Sequence, residues 1–393
     1  MTASKRIQAY LNNFFWLILT YLLSPYFYFR IFLERTLRCV SGQKKNTPLK
    51  ILVIQTAKIG DLVCATPVFR EIKNKFPLCH LTVLINSKTV DILRNNPRID
   101  EIILFDQYPG ISGKIKLLQK LEKEKYDWAF NLLPGSFNGI IAFWSLVPNR
   151  VATCHKGAGE IIKLLSIFNN YRLEYKSHTF LINHYLNLLK FLGIERASGE
   201  KEIFIRSEEE KRALDFLAHN NLSASDLLIG ISPVPGNKIK QWDLSKFALL
   251  ADLLIERVKA KIIFTGSTDD VAQIERTQKM MRNNSVNSSG FFKLYELPAL
   301  LKRMKLFISV DSGPLYMANS LGVPVVDIGG CYDIREQAPT GGKYKILQKN
   351  TDSSLAYSTV VSPSSECKKW FSEQLQEITP EEVFEAAKSL LDQ

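Results

Sequence analysis

KILVIQTAKIGDLVCATPVFREIKNK, residues 50–75, decides how the rest of the chain is read. A run of Ile, Leu and Val enters a turn at Gly60-Asp61, and a helix-like stretch follows. Strand, glycine turn and helix are the parts of a nucleotide-binding βα unit, where backbone amides hold phosphate. The glycines of G-x-G-x-x-G are missing, which argues against a dehydrogenase. An aspartate stands where an anion-binding loop would avoid negative charge, so Asp61 needs another role.

The pattern continues outward from that stretch. LTVLI from Leu81, EIILF from Glu101, DWAFNLL from Asp127 and RVAT from Arg150 are short apolar runs separated by polar, helix-like segments such as KIKLLQKLEKEK from Lys114. HTFLINHYLNLLKFLGI from His178 has helical spacing and ends at a glycine. The alternation starts again with LLIGIS from Leu227, AKIIFTG from Ala260, KLFISV from Lys305 and VPVVDIGG from Val323. Helices fit at residues 245–258, 270–281 and 294–304, and a last one follows a Thr379–Glu382 capping box. Strands of this kind alternating with helices predict two α/β halves with parallel sheets, divided near residues 205–225. Ligands of such sheets bind beyond the carboxyl ends of the strands. The loops to read are therefore Gly60-Asp61, PVPGNKIKQW from Pro233, TGSTDD from Thr265 and VDSGPLYMA from Val310.

A chain of 393 residues exceeds one ordinary core, and 46% hydrophobic with 23% charged residues is normal for a globular enzyme. The net charge is +12, and residues 1–50 supply +7 of it through eight Lys/Arg and one Glu. That concentration argues against nucleic acid and for an anionic membrane surface or acidic lipid. Six cysteines without C-x-x-C or metal spacing fit a reducing cytoplasm. The five histidines form no ligand pair, so no metal is assigned.

Residues 14–29 are sixteen residues, mostly apolar and aromatic, with few polar ones and no charge, interrupted by Pro25. A transmembrane helix takes about 20 residues, and no small-residue cleavage site follows. Dense aromatics followed by Arg30, Arg35, Arg38, Lys44 and Lys45 predict a cytoplasmic-face anchor, interfacial or re-entrant. The alternative is a pair of helices packed on the protein's own core.

Together the four strand-end loops resemble glycosyltransferase family 9, the family of the ADP-heptose:lipopolysaccharide heptosyltransferases, from about Lys50 to the C-terminus. The resemblance implies a GT-B fold of two facing Rossmann-like domains after an apolar, basic helical segment. Residues 1–48 would associate with the membrane, 49–215 would bind the acceptor, and 216–393 would bind the nucleotide-sugar. It further implies an inverting, metal-independent transfer of a heptose or related sugar from a nucleotide-sugar, ADP-heptose first among them, to a lipopolysaccharide-type glycolipid. No cofactor is required. Localisation would be cytoplasmic, peripheral to the inner membrane. The alternatives are a relative with another donor and acceptor, or a catalytically weak protein that binds nucleotide-sugar or glycolipid.

Asp61 matches the family's proposed base. A single displacement needs a group to take the acceptor hydroxyl's proton, and a helix N-terminus would keep the carboxylate ionised; helix capping is the plainer role. Lys240, two residues before Trp242, matches the lysine expected at the donor pyrophosphate, with Lys238 as its competitor and Trp242 as a packing residue. Asp311, Ser312 and Gly313 match the D-[TS]-G start of a donor motif whose histidine position here is Tyr316; Asp311-Ser312 also reads as a plain N-cap. Gly266 and Asp270 fall toward the donor ribose, with helix capping an equal explanation for Asp270. Phe292 lies near the adenine-facing segment, although core packing explains it as well. Lys58 and Gly60 face the acceptor, and Lys156 is a further basic candidate. Where the family shows QG and a basic residue, this chain has Pro134-Gly135 and then Asn138.

Overall fold

Strand β1, Lys50–Ile54, is buried from Ile51 onward on both of its faces. Only the middle of a sheet covered by helices on both sides accommodates such a strand. The structure is a computed structural model that describes residues 3–40, 47–135, 137–155, 159–329, 332–349 and 365–393. β1 is joined by β2 (His80–Ile85), β3 (Glu101–Leu104), β4 (Trp128–Asn131), β5 (Asn149–Cys154) and β6 (Tyr171–Glu174). Their order is β3-β2-β1-β4-β5-β6, parallel throughout. A second sheet holds β7 (Leu228–Ser232), β8 (Lys261–Phe264), β9 (Val286–Asn287), β10 (Leu306–Val310), β11 (Val325–Ile328) and β12 (Tyr344–Leu347). Its order, β12-β11-β10-β7-β8-β9, is the same topology and again parallel. Both sheets reverse winding direction beside their first strand, between β1 and β4 and between β7 and β10. Open α/β sheets place their ligands at that switch point.

β6, β9 and β12 escape the reading of the sequence. Each is a sheet-edge strand of two to four residues with half-exposed side chains, so none carries a continuous apolar run. Contacts divide the chain into two units. The first comprises 1–57, 67–90 and 97–198; the second comprises 58–66, 91–96 and 199–393. The second unit therefore contains Gly60 and Asp61, at the start of the helix Ile59–Lys75. Its core gathers Trp242, Phe247, Phe264 and the C-terminal helix residues Val383, Phe384 and Ala387 around β7, β8, β10 and β11. Thr379 and Glu382 close the capping box that the sequence predicts for Pro380–Leu391.

The N-terminal segment corrects one expectation. Pro25 does not interrupt it: residues Ala3–Val40 form one helix with Pro25 inside. Proline leaves the carbonyl four residues back without its helical partner. Ser24 Oγ donates to that carbonyl, Tyr21 O, at 2.9 Å. Packing on both sides of the proline holds the helix straight through. Trp16, Thr20, Phe27 and Ile31 are buried in the first unit's core. The Trp16 ring meets Phe137 and Trp144 at centroid distances of 4.7 and 5.3 Å. Trp144 Nε1 donates to Thr20 Oγ1 at 2.9 Å, and Arg30 donates to Glu122 at 2.9 Å. The helix is a packed part of the unit along one face. It is also long and apolar enough, from Tyr10 to Leu37, to cross a membrane by length and composition.

Candidate functional site

The second unit brings most of the predicted residues to one place. β7 runs into a loop whose short 3-10 turn, Lys238–Lys240, is started by Asn237 Oδ1 accepting from Ile239 N. Lys240 Nζ pairs with Asp311 Oδ2 at the end of β10, while Lys238 is exposed. The remaining Asp311 oxygen accepts from the Tyr316 hydroxyl at 2.9 Å. Asp311 is thus held by Lys240 on one oxygen and by Tyr316 on the other. Ser312 stands at the N-cap of the helix Gly313–Ser320, but its hydroxyl bonds Ser309 Oγ at 2.8 Å and caps nothing. The plain N-cap reading of Asp311-Ser312 fails on these bonds.

Asp61 belongs to the same cluster. Two glycines let the backbones close. A Cβ on Gly313 would stand 2.6 Å from Ile59 Cγ2, and one on Gly60 would stand 3.1 Å from Tyr316 Cδ2. Asp61 Oδ2 accepts from Lys58 N at 3.2 Å, so it does cap its helix. The helix-start amide favours the ionised form, as expected, but it does not hold the carboxyl at its ordinary pKa. Burial outweighs the Lys58 amide bond and the Lys240 charge and, with Asp311 adding repulsion, raises its pKa from 3.8 to about 6. A carboxyl with that pKa is a stronger base than an exposed one and is still mostly ionised at neutral pH. The Lys58 side chain is exposed.

Two residues of this cluster go unread in the sequence. Asp327 on β11 is fully buried, and Tyr332 donates its hydroxyl to Asp327 Oδ2. Burial first, then the Asp311 charge, holds Asp327 well above the ordinary carboxylate range. Its signal was available: one aspartate inside the apolar run VPVVDI has no place in a buried strand without a partner. Tyr316 is itself buried and its hydroxyl stays protonated for the same reasons. Lys240 lies 5.9 Å from the Tyr332 ring centroid.

At the end of β8, Gly266 has no room for a side chain, with Ile274 Cδ1 2.7 Å from its Cβ position. Asp270 Oδ2 accepts from both Ser267 N and Ser267 Oγ at 2.7 Å. Capping is therefore real, while Oδ1 is bonded to none of the described residues. Gly290, with φ +72°, donates from its backbone to Gly266 O at 3.1 Å and brings the β9 loop against this turn. Phe292 packs edge-on to Phe216 and Phe291. Trp242 is fully buried and donates to Ile378 O at 3.1 Å, as a packing residue should. A roomier cleft of about 930 Å³ lies along the helix Ser207–His219 and involves none of the strand-end residues above.

The first unit's strand ends are built differently. Gln55, directly after β1, donates to Tyr185 Oη at 3.0 Å. Thr56 accepts from Asn138 Nδ2 at 2.6 Å and from Asn86. Asn138, where the family has a basic residue, is thus spent on the loop after β1. A small cleft past β4 and β5 is lined by Asn131, Gly135, Thr153, Cys154 and Asn169. Neither polar atom of the buried Asn131 side chain has a partner among the described residues. Lys44, Lys45 and Lys156 lie outside the described residues.

Comparison with known proteins agrees on one family. The model of glycosyltransferase family 9 (heptosyltransferase) matches residues 114–361. Lipopolysaccharide heptosyltransferase 2 of Salmonella typhimurium is 25% identical, over 88% of this chain and 99% of its own. The lipopolysaccharide core heptosyltransferase OpsX of Haemophilus influenzae is 22% identical, over 75% of this chain and 82% of its own. The crystal structure of a family 9 glycosyl transferase from Veillonella parvula superposes with a TM-score of 0.75 at 25% identity, covering 87% of this chain and 97% of that one.

Proposed function

The chain belongs to glycosyltransferase family 9, with two Rossmann-like domains of the GT-B type, and on that premise we propose that it moves a heptose or related sugar from a nucleotide-sugar, ADP-heptose first among them, to a lipopolysaccharide-type glycolipid. The single observation that carries this reading is the cluster of Asp61, Lys240, Asp311 and Tyr316 at the switch point of the second sheet. In a single displacement the acceptor hydroxyl attacks the anomeric carbon as the bond to the leaving diphosphate breaks, and Asp61 takes the hydroxyl proton. Lys240 supplies fixed positive charge to the leaving diphosphate, where negative charge develops. Ser312 and Gly313 offer backbone N–H groups at a helix start for its oxygens. Gly266 and Asp270 Oδ1 face the ribose. Lys58 and Gly60 sit on the acceptor side, and the first unit holds the acceptor. A lipid-borne acceptor places this work at the cytoplasmic face of the inner membrane.

One observation favours a second reading. The Tyr316 hydroxyl, at the motif's histidine position, is buried and spent on Asp311. It brings no charge to the leaving group, which suits a slower enzyme or another donor. The test of the main reading is Asp61→Ala in the full chain. Turnover should fall by about 10²–10⁴ while ADP-heptose affinity stays within a factor of about two. Unchanged turnover, or affinity lost in step with turnover, refutes the base role.

A further inference from the structure

We infer that the helix Ala3–Val40 lies in the plane of an anionic bilayer surface, glued to the first unit along one side and sunk among lipid along the other, without crossing the membrane. The inference takes its occupant from the membrane-facing reading above. The helix is apolar on two opposite faces. Trp16, Thr20, Phe27 and Ile31 recur at helical spacing and are buried. Half a turn away, Leu11, Ile18, Leu22, Phe29, Phe32 and Leu33 are exposed, at 60, 45, 71, 62, 66 and 41%. That outward strip carries no charged side chain and runs for about 33 Å at 1.5 Å per residue. Soluble chains leave a strip of this size open only where something covers it.

The packed face decides between lying and crossing. Crossing would carry Trp16, Thr20 and Phe27 into the hydrocarbon together with the helices they are bound to, or strip them away. Trp144 Nε1 would then lose Thr20, and Glu122 would lose Arg30. A sheet-bearing unit cannot enter lipid with its loops unpaired. Charge decides between lipid and a second copy. Residues 1–50 carry +7, so two such helices repel, whereas anionic headgroups attract them. Exposed Tyr10, Tyr26 and Tyr28 beside the strip suit the headgroup layer, and Pro25 in the middle of it suits no helix–helix seam.

The test places one tryptophan at a time at Leu11, Leu22 and Leu33 of the full chain. Vesicles of phosphatidylglycerol and phosphatidylethanolamine carry bromine at defined acyl depths, and the added emission is read against the parent chain. Equal quenching at all three positions, strongest from shallow bromines, is expected. A gradient with Leu22 deepest means a crossing helix and overturns the inference, as does no quenching of any added tryptophan. In a second variant, Ile18→Ser, Leu22→Ser and Phe29→Ser together should weaken vesicle binding about tenfold or more. It should leave transfer to a lipid-free acceptor unchanged. Unchanged vesicle binding overturns the inference; loss of transfer from the parent chain in that soluble assay instead counts against the function.

Discussion

The two sheets share one strand order, yet the groups at their switch points differ in kind. In the first unit these side chains at the ends of β1, β4 and β5 are neutral: Gln55 on Tyr185, Thr56 on Asn138, Thr153 on His184, and Asn131. Burial pushes His184 down to about 4, which keeps that ring neutral as well. In the second unit, which takes in Asp61 from the helix after β1, the gathered groups are ionisable: Lys240, Asp311, Asp61 and Asp327. Topology supplies the place in both cases, and residue type supplies the chemistry. A neutral, hydrogen-bonded platform can read hydroxyl groups without altering their charge. A crowded charged cluster can hold diphosphate and move a proton, but at a price in stability.

Removing one charge from the second cluster should show that contrast most strongly. Lys240→Met leaves Asp311 buried without its cation. The fold should lose about 3 kcal/mol, read as a lower denaturant midpoint, and turnover should fall by about 10²–10³. Adding Asp311→Asn should recover most of the stability and none of the turnover. Recovery of both would mean that the pair serves the fold alone.

Asp61→Asn should act in the opposite direction on stability. Well below pH 4 the folded and unfolded chains both hold the proton, and the substitution changes little. As pH rises the unfolded chain releases its proton first, because the folded group waits until about 6. The native fold is then weaker by on the order of 3 kcal/mol at neutral pH. The amide variant escapes that loss, so its melting temperature should exceed the parent's above pH 6 and match it well below pH 4. Turnover of the parent should rise through pH 6 on its acid limb. A melting difference independent of pH would remove the charge argument for Asp61.

How far the residues alone led follows the same division. Apolar strands such as Ile51–Ile54 and Leu306–Val310 announce themselves because burial on both faces demands unbroken hydrophobic runs. The edge strands β6, β9 and β12 do not, since half-exposed strands tolerate polar residues. Asp61, Lys240 and Asp311 were legible as strand-end motifs, but their mutual pairing was not. Lys240 and Asp311 stand 71 positions apart and meet only because β7 and β10 are neighbours. The raised pKa of Asp61 also depends on crowding that no local pattern records. Pro25 misled for a local reason: the rule that proline stops a helix holds unless another donor takes the freed carbonyl, as Ser24 does.

A smaller effect should follow from Tyr316. Tyr316→Phe deletes a buried hydroxyl that donates to a carboxylate, worth about 1.5–3 kcal/mol when the partner is charged. Lys240 still satisfies Asp311, so the lower end is expected. Tyr316→His restores the family's motif. If the leaving diphosphate lacks positive charge here, that variant should raise turnover and lower the donor KM. If it lowers turnover, the tyrosine is matched to this chain's own donor.

The smallest effect belongs to the neutral platform, and its sign carries the information. Asn131 is buried with its amide oxygen and nitrogen unpaired among the described residues. A buried amide without partners weakens a fold, so Asn131→Leu should leave stability unchanged or raise it by under about 1 kcal/mol. Gln55, Thr56 and Thr153 should behave the opposite way, because each has a partner to abandon. Thr153→Val, for example, strands the His184 ring, whose Nε2 lies 3.0 Å from Thr153 Oγ1. If Asn131 faces the acceptor, its leucine variant should raise the acceptor KM severalfold and leave the donor KM alone. A leucine variant that melts lower with an unchanged acceptor KM would assign Asn131 to the fold and return the cleft to ordinary packing.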